Sequence, residues 1–145
     1  MIHLIAVADY VQTHVSGILL AVLASFLIGF LWHGPLFGKQ WMKFNKIPAP
    51  KKSDRKFAMM LPGIIASLVM AFVQAAVIGR ALQILFLPSI LHAFVITMIL
   101  WLPFTALTIV NEYTWAGKSV GHMCYDAAYN LASMCAITTV LYATL

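Results

Sequence analysis

The sequence predicts an all-α, polytopic membrane protein with four transmembrane helices, and three observations carry that prediction. First, 63% of the 145 residues are apolar and only 9% are charged, with a mean hydropathy of +0.94. Soluble domains run near 45–50% apolar and about 25% charged. Second, four long runs are nearly free of charge, and about 20 residues at ~1.5 Å rise cross a ~30 Å hydrocarbon core. Third, the basic residues cluster between the first two runs. So much apolar surface excludes disorder. The length excludes a soluble catalytic domain beside the spans, so residues 1–145 are expected to form one membrane domain. Barrel strands are excluded because the runs do not alternate polar and apolar residues.

The first span is expected over residues 15–32, with Ser16 and Ser25 its polar side chains, and Gly34-Pro35 ends it. The second covers residues 58–79, where Gln74 is the one strongly polar residue. The third covers residues 88–110, and Pro103 should kink it by removing the hydrogen bond to the Ile99 carbonyl. Thr105 and Thr108 are placed to re-satisfy freed backbone groups. The fourth, residues 123–143, is the most polar, carrying Asp126, Asn130 and Ser133. Residues 1–8 are apolar but lack the basic flank of a cleaved signal, so this stretch reads as retained, at the interface or extending the first helix.

Lys39, Lys43, Lys46, Lys51, Lys52, Arg55 and Lys56 occupy the loop 34–57, against the single acid Asp54. The positive-inside rule places that loop in the cytoplasm, giving an N-out/C-out chain in a cell inner membrane. Lys118 then falls inside and Arg80 outside. The net charge of +5 reflects orientation and contact with anionic lipid rather than nucleic-acid binding.

Lipid supplies no hydrophobic force between helices, so close approach through small residues matters more. Gly17, Ala21, Ser25 and Gly29 recur every four residues, as do Gly63, Ser67, Ala71, Ala75 and Gly79. Each set lies on one helix face and offers a groove for another backbone, in this chain or a second copy. A homo-oligomer is expected, because four short helices enclose little volume.

Depth sorts the polar residues into two layers. His14 and His92 start helices near the outer face, while His33, Asn111, Glu112 and His122 fall at the inner face. Asp126 lies below that face, and an acid within a span costs roughly 2.5–3.5 kcal/mol at the helix centre. The stripe His122, Asp126, Tyr129, Asn130 and Ser133 should therefore turn into the bundle. A ligand or proton site is expected from His33, Glu112, His122, Asp126, Tyr129 and Asn130, with Trp32, Lys39, Trp41 and Asn111 at its mouth or interface. The competing reading is a buried network in which Asp126 pairs with His122, His33 or a lysine and fixes packing.

No metal or cofactor is expected. His122 and Asp126 share a face, but two ligands make no closed site. Haem would need His14 with His92, or His33 with His122, and lone histidines at helix ends give no further handle. Cys124 and Cys135 lie eleven apart on one helix and read as small buried hydrophobes. Nucleophile-elbow, Walker and dinucleotide signatures are absent, so an enzyme is not the leading expectation.

The stretch Leu31-Trp32-His33-Gly34-Pro35-Leu36-Phe37-Gly38-Lys39-Gln40-Trp41-Met42-Lys43 resembles the signature of a family of small bacterial membrane proteins, domain of unknown function seventeen sixty-one. That signature reads roughly G-x-x-W-[YH]-x-P-L-F-G-K-x-W. Asn111-Glu112, and then Asp126-Ala127-Ala128-Tyr129-Asn130, are similar to its second element, with His33 and Ala128 where Tyr and Gly are common. The resemblance implies a four-helix inner-membrane protein with no established activity. The leading expectation is a small oligomeric transporter- or channel-like protein with Asp126 at its site. The alternative is a non-transporting scaffold or accessory subunit contacting another protein.

Overall fold

A computed structural model describes residues 2–46 and 57–145, with side chains described for 7–46 and 61–145. Every regular element among the described residues is helical, as the unbroken apolar runs require. In chain order they are α1 (Ile2–Thr13), α2 (Val15–Leu31), α3 (Gly38–Phe44), α4 (Phe57–Leu85), α5 (Ile90–Trp101), α6 (Leu107–Trp115) and α7 (Val120–Thr144). Of the basic loop, Lys39, Lys43 and Lys46 are exposed, and Lys51, Lys52, Arg55 and Lys56 lie outside the described residues.

Pro35 and Pro103 sit in wide, π-type turns, at Trp32–Leu36 and at Leu102–Ala106, whereas Pro62 lies near the start of α4. A proline has no N–H to give, and its ring clashes with the carbonyl four residues back. Widening the turn by one residue relieves both problems without ending the helix. Gly34-Pro35 therefore does not end the helical path. The Phe37 N–H bonds the Trp32 carbonyl at 3.0 Å, and α3 follows at once. After Pro103, α6 continues from α5, and the Thr108 hydroxyl bonds the Phe104 carbonyl at 3.2 Å.

Among the described residues three stretches, not four, are long and apolar enough to cross a membrane: Val15–Leu36, Leu61–Leu85 and Ile90–Trp115. The expected fourth span is helical, and at 25 residues α7 is long enough. It falls short in apolarity because His122, Asp126, Asn130, Ser133 and Thr138 interrupt it. Those residues are tolerated because α7 is the central helix, in contact with α2, α4, α5 and α6. His122, Tyr125, Ser133, Met134, Ile137, Thr138 and Leu141 are all buried along it, so its polar groups meet protein.

Small residues set the spacing of this core. On α2, Ala21 is fully buried, and a Cβ at Gly17 would lie 2.7 Å from Thr144 Oγ1. A Cβ at Gly29 would lie 3.0 Å from the Tyr129 hydroxyl. The whole stripe thus rests on α7 of the same chain. On α4 the stripe divides. Ala71, Ala75 and Gly79 are buried, whereas Gly63 and Ser67 are exposed and nothing lies within 4 Å of a Cβ at Gly63. The N-terminal segment forms a helix of its own, α1, ending in a break at His14 (φ −119°). It packs on α4, where the Tyr10 ring fills the notch left by Gly79.

Two hydroxyl pairs lock the centre. Ser25 and Ser133 hydroxyls lie 2.7 Å apart, and Thr97 and Thr138 hydroxyls 2.6 Å apart. Each threonine hydroxyl also lies 2.9 Å from a carbonyl one turn back in its own helix, Ala93 and Met134 respectively, so one of the two donates to its carbonyl while the other donates across the pair.

Candidate functional site

The π turn after α2, helix α3, the end of α6 and the first half of α7 converge on Asp126. The Ser119 side chain accepts from the His122 N–H at 3.3 Å and caps the start of α7. Two turns later Asp126 faces the bundle, as the energetic cost of facing lipid demands. Its Oδ2 accepts a hydrogen bond from the Tyr113 hydroxyl on α6. The same oxygen lies 3.6 Å from His122 Nε2. One turn on, Asn130 Nδ2 donates to the Asp126 backbone carbonyl at 2.8 Å.

Aromatic rings hold this cluster in place. His122 is stacked on Phe44 (centroids 4.9 Å, 5° between planes) and meets Tyr113 edge-on. His33, on the π turn, shares a 3.1 Å hydrogen bond between its Nδ1 and the Tyr125 hydroxyl. It also packs edge-on against Tyr129 at 4.5 Å and lies 6.0 Å from Trp41. The wide turn at Pro35 thus sets His33 and Trp41 near the start of α7, where His33 meets Tyr125 and Tyr129.

Beside the cluster is a cleft of about 390 Å³. Asp126, Glu112, His33, Tyr129, Asn130, Trp41 and Tyr113 line it, joined by Ser25, Ser133, Ser67 and Gln74. Among the described lining residues there is no Lys or Arg. The expected site residues are thus brought together, with one exception. His122 is buried behind Tyr113 and Phe44 and touches the cleft only through Asp126.

Of the expected mouth residues, only Trp41 lines the cleft. Trp32 packs on Phe37 and Tyr125, and Lys39 is exposed. Asn111 is on the outer face of α6, accepting from Trp115 Nε1 at 3.1 Å, one position away from Glu112. Successive helical residues are about 100° apart, so they could not both face inward. Both cysteines are free, and Cys124 is exposed rather than a buried filler. Among the described residues no group of three His, Cys, Asp or Glu side chains is placed to hold a metal ion.

Sequence reasoning missed Tyr113, Tyr125, Gln74 and Phe44. Tyr113 and Tyr125 adjoin Glu112 and Asp126 in sequence, but phenols in apolar helices give no periodic signal. Gln74 stood out as the one polar side chain of its span, and its cleft-facing direction depends on how α4 crosses α7.

A family description covers residues 16–142, nearly the whole chain. The chain belongs to DUF1761, a protein family of unknown function. Nothing among curated proteins and nothing among solved structures matches it. In this DUF1761 member the two stretches that carried the resemblance meet at one place: His33 and Trp41 come from the first, and Asp126, Tyr129 and Asn130 from the second.

Proposed function

We propose that this DUF1761 protein is a multi-pass inner-membrane protein whose Asp126 cleft binds a proton or a small organic cation, as the site of a transporter-like function. The supporting observation is a cleft of about 390 Å³ that presents two carboxylates, Asp126 and Glu112, with no Lys or Arg among its described lining residues. Carboxylates held at membrane depth favour a positively charged occupant, and such residues characteristically mark ion and proton paths. Tyr113 donates to Oδ2 of Asp126 and His122 stands 3.6 Å from the same oxygen, while the Asp126 side chain lines the cleft. The N-out/C-out arrangement, with Lys39, Lys43 and Lys46 against anionic lipid, puts this cleft on the cytoplasmic side. Beyond the cleft-lining Ser25–Ser133 pair, the Thr97–Thr138 pair and the buried Ile18, Ile137 and Leu141 close the bundle toward the outer face.

A scaffold role is the second reading. It is favoured by the bare first half of α4, where Leu61, Ile65, Val69 and Met70 are exposed beside Gly63 and Ser67. A second copy or another membrane protein would pack there.

The test uses Asp126→Asn, which keeps size and hydrogen bonding. In proteoliposomes the native protein is expected to bind and move methylammonium in a pH-dependent way, and the variant, produced at normal levels, to lose that signal. An unchanged signal in Asp126→Asn would defeat the proposal. Loss of assembly in Gly63→Leu with no methylammonium signal in the native protein would favour the scaffold.

A further inference from the structure

The polar cleft has an apolar neighbour, and the two share walls. A second cavity of about 350 Å³ lies between α2 and α4, lined by Phe26, Phe30, Ile64 and Leu68 along with Gly29 and Gly34. Ser25, His33, Ser67, Ala71 and Tyr129 belong to both cavities. The small side chains on this seam leave the helices apart, and a Cβ at Gly34 would meet nothing within 4 Å. Phe26, Phe30 and Leu68 are themselves exposed, so the apolar cavity opens sideways, where the acyl chains of a bilayer would lie. His33 and Tyr129 stand at the junction, 4.5 Å apart. One side of that junction offers two carboxylates and Asn130; the other offers only aliphatic and aromatic surface.

We infer that the site takes an amphiphilic amine, with its ammonium head against Asp126 and Glu112 and its hydrocarbon tail in the α2–α4 cavity, entering laterally from the membrane. This rests on the cation-site reading above and specifies its substrate class. An ammonium group carries only donors and a carboxylate only acceptors, so the head is matched in charge and hydrogen bonding. A hydrophilic cation would occupy half of the joined space, whereas a tailed one fills both halves and excludes water from the head-group contact. An anionic amphiphile of equal length would meet two like charges.

The experiment measures saturable binding of radiolabelled dodecylammonium to the full chain in phosphatidylcholine nanodiscs, with empty nanodiscs as the partition background. Dodecanoate serves as the same tail with the opposite head. Methylammonium, followed by saturation-transfer NMR, serves as the head alone. Dodecylammonium is expected to bind saturably and dodecanoate not, with Asp126→Asn weakening dodecylammonium about tenfold through loss of one charge-assisted contact. Leu68→Trp, which fills only the apolar cavity, is expected to weaken dodecylammonium by a similar factor and leave methylammonium unchanged. Ile64→Trp repeats that arm should Leu68→Trp fail to fold. Dodecanoate binding as tightly as dodecylammonium, or dodecylammonium binding untouched by both tryptophan variants, overturns the inference, while the methylammonium signal keeps the cation site standing. Absence of a saturable signal from either ammonium probe sinks the cation site as well.

Discussion

Replacing Gly79 by Ala has a sign that depends on one ring. In an ordinary helix interior the change stabilises by roughly 0.5–1 kcal/mol, because Gly loses more backbone entropy on folding. Here a Cβ at position 79 would lie 2.6 Å from Tyr10 Cζ and 2.9 Å from Cε1, and closer still to the hydroxyl oxygen. No real contact survives at such separations, so the ring must move. Tyr10 is 1% exposed and stacked on His14 at 4.5 Å, which leaves it nowhere to go without lifting α1. Overpacking of that kind costs about 1–3 kcal/mol. Gly79→Ala is therefore expected to destabilise the native chain by about 1–2 kcal/mol. With Tyr10→Ala in place the clash is gone, and the same change should stabilise by up to about 1 kcal/mol. A double-mutant cycle by denaturant titration in detergent micelles reads the difference, about 2 kcal/mol of coupling. Equal effects of Gly79→Ala in both backgrounds would refute the notch between α1 and α4.

Two further predictions follow from the same packing. The Tyr10 hydroxyl is buried without a hydrogen-bond partner among the described residues, and burial raises its phenol above the ordinary 10.0. The neutral form is favoured in the folded state, so the stabilisation is complete below the ordinary value and fades as pH rises through the raised one. Docking of α1 should loosen at alkaline pH, read by hydrogen exchange of residues 2–13, and Tyr10→Phe should abolish that dependence. Ser25 and Ser133 have only each other, so Ser25→Ala should cost about 1 kcal/mol. Thr97→Val should cost less, since Thr138 keeps its bond to the Met134 carbonyl. Equal losses for the two, measured by thermal unfolding, would contradict this ranking.

Much of the site was legible because lipid leaves a carboxylate few options. Asp126 had to face protein or water, and depth along each helix then put His33 and Glu112 in its layer, with Asn130 one turn deeper on the same helix. Phase around a helix was less legible. Glu112 and Asn111 share a depth, but only Glu112 lines the cleft, because neighbouring residues of a helix point about 100° apart. His122 was legible as a partner of Asp126 through their four-residue spacing, but not as a residue sealed behind Phe44, whose position depends on the path of α3.

By itself the sequence determined the helical class, the order of the apolar stretches and the polar stripe of α7, since these follow from composition and from residue spacing within one segment. Tertiary structure alone decided that α7 is the hub surrounded by its neighbours, which is why it can carry the polarity that keeps it from being a fourth apolar span. It also decided which half of the α4 stripe is used, and that Pro35 and Pro103 widen their helices instead of ending or only kinking them. These outcomes depend on side chains distant in the chain, such as Tyr10 against Gly79 and Tyr113 against Asp126, and no local pattern records which pairs will meet.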